Sequence, residues 1–427
     1  MGWTGQMLDD AGYGPSLRRR GSGNMLTHAI MAVLGAALAT GLLLAFDNPT
    51  SGGSGISLPG SGAVPAPGAP AGPLAGGEQA IVTKVKPGLV IINTALQYHS
   101  EAAAGTGMVI NADGLVLTDN HVIDGSTKIT ATVGSTGRTY PATVVGYDKT
   151  GDIALIQLQN ASGLTTVPIG NSSSVKVGNA VVALGNAEGR GSITAAAGEV
   201  TGLNQTITAS EEEGSTASET LSGMIQTDAG VVPGDSGGPL ASPAGVIGMD
   251  TAGNDVSDQQ QASAGFAIPI NTVLSVARQI AGGHASSTIT IGYPPFVGIF
   301  IGSGSSSSPQ AQAQQEEQQQ DGGGSGGSGS SPACYASNAD LTVPSAIAPV
   351  SSGTLIVGTV CGSPAASAGM TGGAVITAVN GQAVGLPDHL AGILARFHPG
   401  DTISVTWVSP SGQRSTSSLH LTAGPPQ

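Results

Sequence analysis

Gly234-Asp235-Ser236-Gly237-Gly238-Pro239-Leu240 constrains this chain more than any other stretch. Glycines on both sides of Ser236 let the backbone turn sharply. The N–H groups of Gly234 and Ser236 can then aim at one point, where charge on an attacked carbonyl oxygen would gather. Alone, the string is also compatible with an ordinary glycine-rich turn. A serine hydroxyl is a weak nucleophile that needs a base and a carboxylate to orient the base. Thr118-Asp119-Asn120-His121-Val122-Ile123 offers the base, and Asp152-Ile153-Ala154-Leu155 offers the carboxylate.

Singly, His121 reads as a solvated loop histidine and Asp152 as a strand-entry residue. In the chain order His121, Asp152, Ser236 they match the chymotrypsin arrangement, and not the subtilisin or α/β-hydrolase orders. In that arrangement histidine takes the serine proton and returns it to the leaving amine, while aspartate holds the imidazole tautomer.

Composition sets the class of fold. A chain of 427 residues suggests two to three domains. With 68 glycines, 9% charged and 3% aromatic residues, it favours short strands between glycine turns over long helices. The net charge of −14 argues against nucleic acid, which needs basic stripes. The two cysteines, Cys334 and Cys361, have no metal-ligand spacing, so neither a metal nor a cofactor is expected. In an oxidising compartment they could form one disulfide; two unpaired thiols are the other reading.

Residues 1–24 read as a polar tail ending near Arg18-Arg19-Arg20. The uncharged run from Ala29 to Phe46, within residues 25–46, is near the lower length limit for crossing a bilayer. Basic residues before it and none just after place the N-terminus in the cytoplasm and the remainder outside. A cleaved signal peptide ending near Ala37-Leu38-Ala39 is the rival reading. Residues 47–77 are a Gly/Pro/Ser linker.

Ordered sequence is expected from Glu78. Ile81–Pro87 and Leu89–Ile92 carry the β-branched richness of strands. Gly105–Thr118 reads as a hairpin with Asp113-Gly114 at its turn, delivering His121 just past its second strand. Short strands recur through about Ile270, interrupted by a loop over Ser210–Ser222. A helix is expected over Asn271–Gly282. Gly185–Gly191 lacks the spacing of a nucleotide-binding loop. The Ser/Gln/Gly tract at 302–332 cannot bury a core. Strands at Thr354–Val360, Ala374–Val379 and Thr402–Val408, with a helix at Asp388–Phe397, make a second, smaller α+β domain.

Over roughly residues 78–420 the chain resembles the HtrA/Deg family of serine proteases. The telling strings are GTGMVINADGLVLTDNHVI, GDIALIQL, GMIQTDAGVVPGDSGGPL and GFAIPI, then GSPAASAGMTGGAVITAVNGQAV and FHPGDTISVTW. The resemblance implies a mainly β chain. A chymotrypsin-like double β-barrel protease domain at 78–283 would precede a PDZ domain at 288–422, interrupted by the tract at 302–332. It implies a membrane-anchored endopeptidase that cleaves unfolded or damaged proteins outside the cytoplasm, without ATP or metal. A homotrimer is compatible with it, although residues 78–97 lack the aromatic side chains that family trimers pack.

By the same resemblance, Gly234, Asp235 and Ser236 form the oxyanion hole. The family often has Asn at the position of Asp235. The primary pocket takes its floor from Gly230 and its walls from Gly248, Met249, Asp250 and the surroundings of Gly265, which favours small or medium aliphatic residues before the cut. Val297, Gly298 and Ile299 correspond to the PDZ loop that receives a peptide's C-terminal carboxylate. Two rival functions stand beside this reading. One is a catalytically quiescent chaperone or peptide-binding protein; the other is an esterase using the same acyl chemistry.

Overall fold

The computed structural model describes residue 74 and residues 76–96, 101–210, 218–251, 264–302, 306–320, 333–338 and 341–426. The predicted tail, the apolar span at 25–46 and nearly all of the linker lie outside the described residues.

The first ordered element is helix α1 (Gly76–Val85), where β-branched composition had suggested a strand over Ile81–Pro87. Helical spacing prevails because Ile81, Val82 and Val85 fall on one face and bury together. Six strands follow: β1 (Leu89–Leu96), β2 (Glu101–Val109), β3 (Leu115–Thr118), β4 (Lys128–Val133), β5 (Thr139–Asp148) and β6 (Ile153–Leu158). They run in the order β5-β4-β1-β2-β3-β6, and β6 returns to β5. The expected hairpin is β2–β3, and the short helix α2 (Asn120–Ile123) follows it. Alternation along β1 sorts its side chains: Val90 and Ile92 fill this barrel, while Leu89 and Ile91 face outward.

The second barrel closes in the order β10-β11-β12-β9-β8-β7. Its strands are β7 (Ala180–Gly185), β8 (Thr194–Ser210), β9 (Ser218–Thr227), β10 (Pro239–Ser242), β11 (Gly245–Thr251) and β12 (Gly265–Pro269). Val181, Val200, Ile225, Leu240 and Ile247 pack together there. Ser218–Ser222, expected in a loop, extends β9 because it pairs along β8 as far as Ser210. Helix α3 (Ile270–Ala281) follows as expected. A shared core joins α1 and α3 to both barrels, through Leu89, Ile91, Met108 and Leu155 of the first and Val182, Leu184, Met249 and Ile268 of the second.

Strand β13 (Ile289–Ile291) pairs with β5, so the start of the stretch assigned to the second domain from residue 288 belongs to the first barrel. The second unit comprises β14 (Pro295–Phe296), β15 (Ile299–Ile301), α4 (Pro309–Gln320), β16 (Thr354–Thr359), α5 (Pro364–Ser367), β17 (Val375–Val379), β18 (Gln382–Ala383), α6 (Pro387–Leu394), β19 (Thr402–Val408), β20 (Arg414–His420) and β21 (Thr422–Ala423). Its sheet runs β15-β16-β17-β19-β20, with β18 on β17; β14 pairs with β21. Ile356, Ile376, Leu390, Ile393, Val405 and Trp407 form its core.

Helix α4 lies inside the tract expected to be structureless. Composition missed it because one buried polar residue holds it. The Gln312 amide donates to the carbonyls of Ser306 and Gly353, each at 2.8 Å, and its oxygen accepts from Leu355 N at 2.8 Å. Cys334 and Cys361 are joined in a disulfide, with Cα atoms 4.9 Å apart.

Candidate active site

The site is built from both barrels. The β2–β3 hairpin leads into α2, which carries His121; Asp152 immediately precedes β6; Ser236 sits in the turn between β9 and β10. His121 Nδ1 lies 2.9 Å from Asp152 Oδ2, and its backbone amide donates to Asp152 Oδ1 at 3.0 Å. Thr251, on β11, donates its hydroxyl to Asp152 Oδ2 at 2.9 Å. Both carboxylate oxygens are therefore held, and Nδ1 of the ring is the nitrogen turned to the acid. The imidazole is partly exposed, whereas Asp152 is buried.

The turn at Ser236 is fixed by its carbonyls. In a trans peptide the N–H points opposite the preceding C=O, so pinning the carbonyl aims the amide. Pro233 O accepts from Glu188 N at 2.6 Å, which orients the amide of Gly234. Asp235 O accepts from Gly238 N at 2.8 Å, which orients the amide of Ser236. The peptide between them is held at both ends: Gly234 O accepts from the Thr106 hydroxyl at 2.8 Å, and Asp235 N donates to Val232 O at 3.0 Å. Gly234 has φ +94°, and a side chain there would run into Asn186 O. Oriented in this way, the amides of Gly234 and Ser236 can serve as oxyanion donors. Asp235, expected beside them, is corrected: its amide is occupied within the turn.

Three further contributors escaped the sequence reading. Thr106 also donates its amide to Ser236 O at 2.9 Å, and its hydroxyl accepts from Asn186 N at 2.8 Å. The Asn186–Gly191 loop supplies the amide of Glu188 from a left-handed residue, φ +57°. Thr251 is the third. Only the loop's glycines were visible in the sequence, and they gave no hint of this use.

Three buried acids gather at the turn: Asp235 within it, and Asp119 and Asp250 beside it. Asp119 Oδ2 accepts from Gly237 N at 2.8 Å, and the same amide donates to Asp250 O at 2.8 Å. Burial, then the neighbouring Asp152, push the Asp119 carboxyl well above its usual range, opposed by His121 and the Gly237 bond. Burial, then Asp235 and Asp119, do the same to Asp250, whose two carboxyl oxygens have no hydrogen-bond partner among the described residues. Burial raises Asp235 to about 6, against the hydrogen bond from Val232. Donor atoms of Asp119, His121 and Asp152 lie within 4.8 Å of one another, a closeness that the His121–Asp152 pair itself largely produces.

The expected pocket residues divide. Gly230 is exposed, while Gly248 and Gly265 lie in paired strands. Met249 is packed into the shared core and Asp250 is fully buried toward the other acids, so neither offers a wall to a substrate. Val297, Gly298 and Ile299 lie in the second unit, where Gly298 O accepts from Val360 N at 2.9 Å and from the Ser363 hydroxyl at 3.0 Å.

Residues 105–249 match the family described as the trypsin-like peptidase domain. The chain is 32% identical over 428 residues to the serine protease PepD of Mycobacterium tuberculosis, an alignment covering 95% of this chain and 79% of that protein. It is 38% identical over 186 residues to the periplasmic serine endoprotease DegP of Escherichia coli, covering 43% of this chain and 37% of DegP. A solved structure of the HtrA-type protease AlgW with a tripeptide aligns with 82% of this chain and 98% of its own, at 24% identity and a TM-score of 0.42.

Proposed function

Because the chain belongs to the HtrA-type serine proteases, we propose that it is an extracytoplasmic endopeptidase tethered to a membrane by residues 25–46, cutting unfolded or damaged proteins. The observation that carries the peptidase reading is the oriented His121–Asp152 pair beside a turn whose Gly234 and Ser236 amides are both aimed by pinned carbonyls.

In this reading Ser236 Oγ attacks the scissile carbonyl while His121 Nε2 takes its proton. Asp152 keeps Nδ1 protonated and stabilises the imidazolium, and Thr251 helps to fix the carboxylate. The oxyanion gathers at the amides of Gly234 and Ser236. His121 then protonates the leaving amine, and water hydrolyses the acyl-enzyme by the same route in reverse. Ser236→Ala, His121→Ala and Asp152→Asn test this. The serine and histidine losses should each be on the order of 10⁶ in turnover, the aspartate loss somewhat smaller, and double variants little worse than single ones. Near-normal casein cleavage by His121→Ala would defeat the assignment.

The second unit reads as a PDZ domain that binds C-terminal peptides and delivers or regulates substrate. Among the described residues, the amides of Val297 and Gly298 have no acceptor, a nest suited to a carboxylate. β15 ends its sheet, with β16 on one side, so a peptide strand can add to the other. Residues 25–46 suit a membrane by length and apolar character. Tag accessibility in intact cells tests the tether, since an outward N-terminus or a mature chain starting near Thr40 would refute it.

A further inference from the structure

The proton transfers above leave Asp119 without a part, yet its contacts are unusual. It is the N-cap residue of α2, two positions before His121. An aspartate there ordinarily accepts from amides of its own helix. Asp119 makes no such cap. Its fully buried side chain reaches instead to the other barrel, where Oδ2 accepts from the amide of Gly237, the residue after Ser236.

We propose that Asp119 is a positioning residue of the peptidase reaction, joining the turn that carries His121 to the turn that carries Ser236 through its hydrogen bond with the Gly237 amide. The inference rests on the peptidase reading given above.

Titratable groups face Asp119 from every element packed against it. His121 faces it from α2 and Asp152 from the start of β6; Asp250 faces it from β11 and connects it to Asp235 in the nucleophile turn. Of these side chains, His121 favours the ionised form of Asp119 and Asp152 opposes it. A neutral carboxyl can accept from Gly237 N as an asparagine amide would. An ionised one accepts from it more strongly still, at the cost of a second negative charge set against Asp152, so the tie between the two turns holds in either form.

The experiment compares full-length wild type, Asp119→Ala and Asp119→Asn for casein turnover from pH 5 to 10 and for the rate of fluorophosphonate labelling. Asp119→Ala should lower both by about 10- to 100-fold near neutral pH, with KM within about twofold. Asp119→Asn should stay within about threefold of wild type there, because its side-chain oxygen can still accept from the Gly237 amide. Thermal melting is read for each variant. Should the alanine chain not fold, Asp119→Leu, which fills the space but offers no acceptor, takes its place. Wild-type behaviour in Asp119→Ala, or equal damage in the alanine and asparagine variants, would overturn the proposal. A wild-type chain that neither labels nor cleaves would overturn the peptidase reading and this proposal together.

Discussion

Thr106 and Gly234 stand 128 residues apart in the chain and are joined by a 2.8 Å hydrogen bond from the threonine hydroxyl to the glycine carbonyl. The same hydroxyl accepts from Asn186 N, so one oxygen links β2 of the first barrel to two loops of the second. Thr106→Val keeps the shape and the backbone bond to Ser236 but leaves Asn186 N and Gly234 O unpaired. We expect kcat to fall about tenfold or more with KM nearly unchanged, and Thr106→Ser to recover most of it. Steady-state kinetics on one peptide, with folding followed by circular dichroism, checks this.

Asp235 makes stability depend on pH. Its folded-state value of about 6 lies above the ordinary 3.8, so between these values the folded chain binds more protons than the unfolded chain. Stability from this group is fully present below about pH 3.8, falls as pH rises toward about 6, and is level beyond. The full loss is up to about 3 kcal/mol. Asp235→Asn, in a Ser236→Ala background that prevents self-cleavage, should melt higher than its parent at pH 7 and almost equally at pH 4. An equal gain at both pH values would contradict the assignment of the buried proton.

The Cys334–Cys361 bridge closes a separation of 27 residues, worth ~3.5 kcal/mol by loop entropy. Cys361 follows Val360, whose amide holds Gly298 O, and donates its own amide to Tyr335 O at 2.9 Å. Reduction, or Cys334→Ser with Cys361→Ser, should speed amide exchange over β15 and β16 and leave fluorophosphonate labelling unchanged. Exchange rates unmoved by reduction would show that the bridge adds nothing there.

Gly298 has φ +78°, and a Cβ there would collide with the Ser363 side chain. Gly298→Ala should weaken binding of peptides with free apolar C-termini at least about tenfold, by displacing the loop amides. Wild type should bind the free acid and reject the amidated peptide. Fluorescence anisotropy measures both, and equal binding of acid and amide would dispose of the carboxylate nest.

Local pattern made much of this legible in the sequence. The β2–β3 hairpin, α3, α6 and β19 appear close to where their apolar spacing and turn residues placed them. His121 and Asp152 meet as their order and the flanking motifs required. What stayed hidden depends on partners remote in the chain. α1 was obscured because Ile81, Val82 and Val85 are as common in strands as in helices, and only the shared core selects between them. α4 depends on Gln312 meeting Gly353 and Leu355 some 40 residues away. Thr106, Asp119 and Thr251 have no local signature, since each acts through a bond to another segment. Asp250 was placed in a substrate pocket by analogy, and only its burial among other acids shows where its side chain goes.

His121 and Asp152 come from one barrel, and Ser236 with the aspartate's third donor, Thr251, comes from the other. A chain emerging from the ribosome therefore holds the base and its orienting acid long before the nucleophile is made. Barrels of long-range strand pairs also fold slowly. No half-folded copy contains a complete cutting site, so a young chain cannot digest its neighbours while they are themselves unfolded. The division of the site between barrels works as a timer, in which competence to cut arrives only with the last stage of folding.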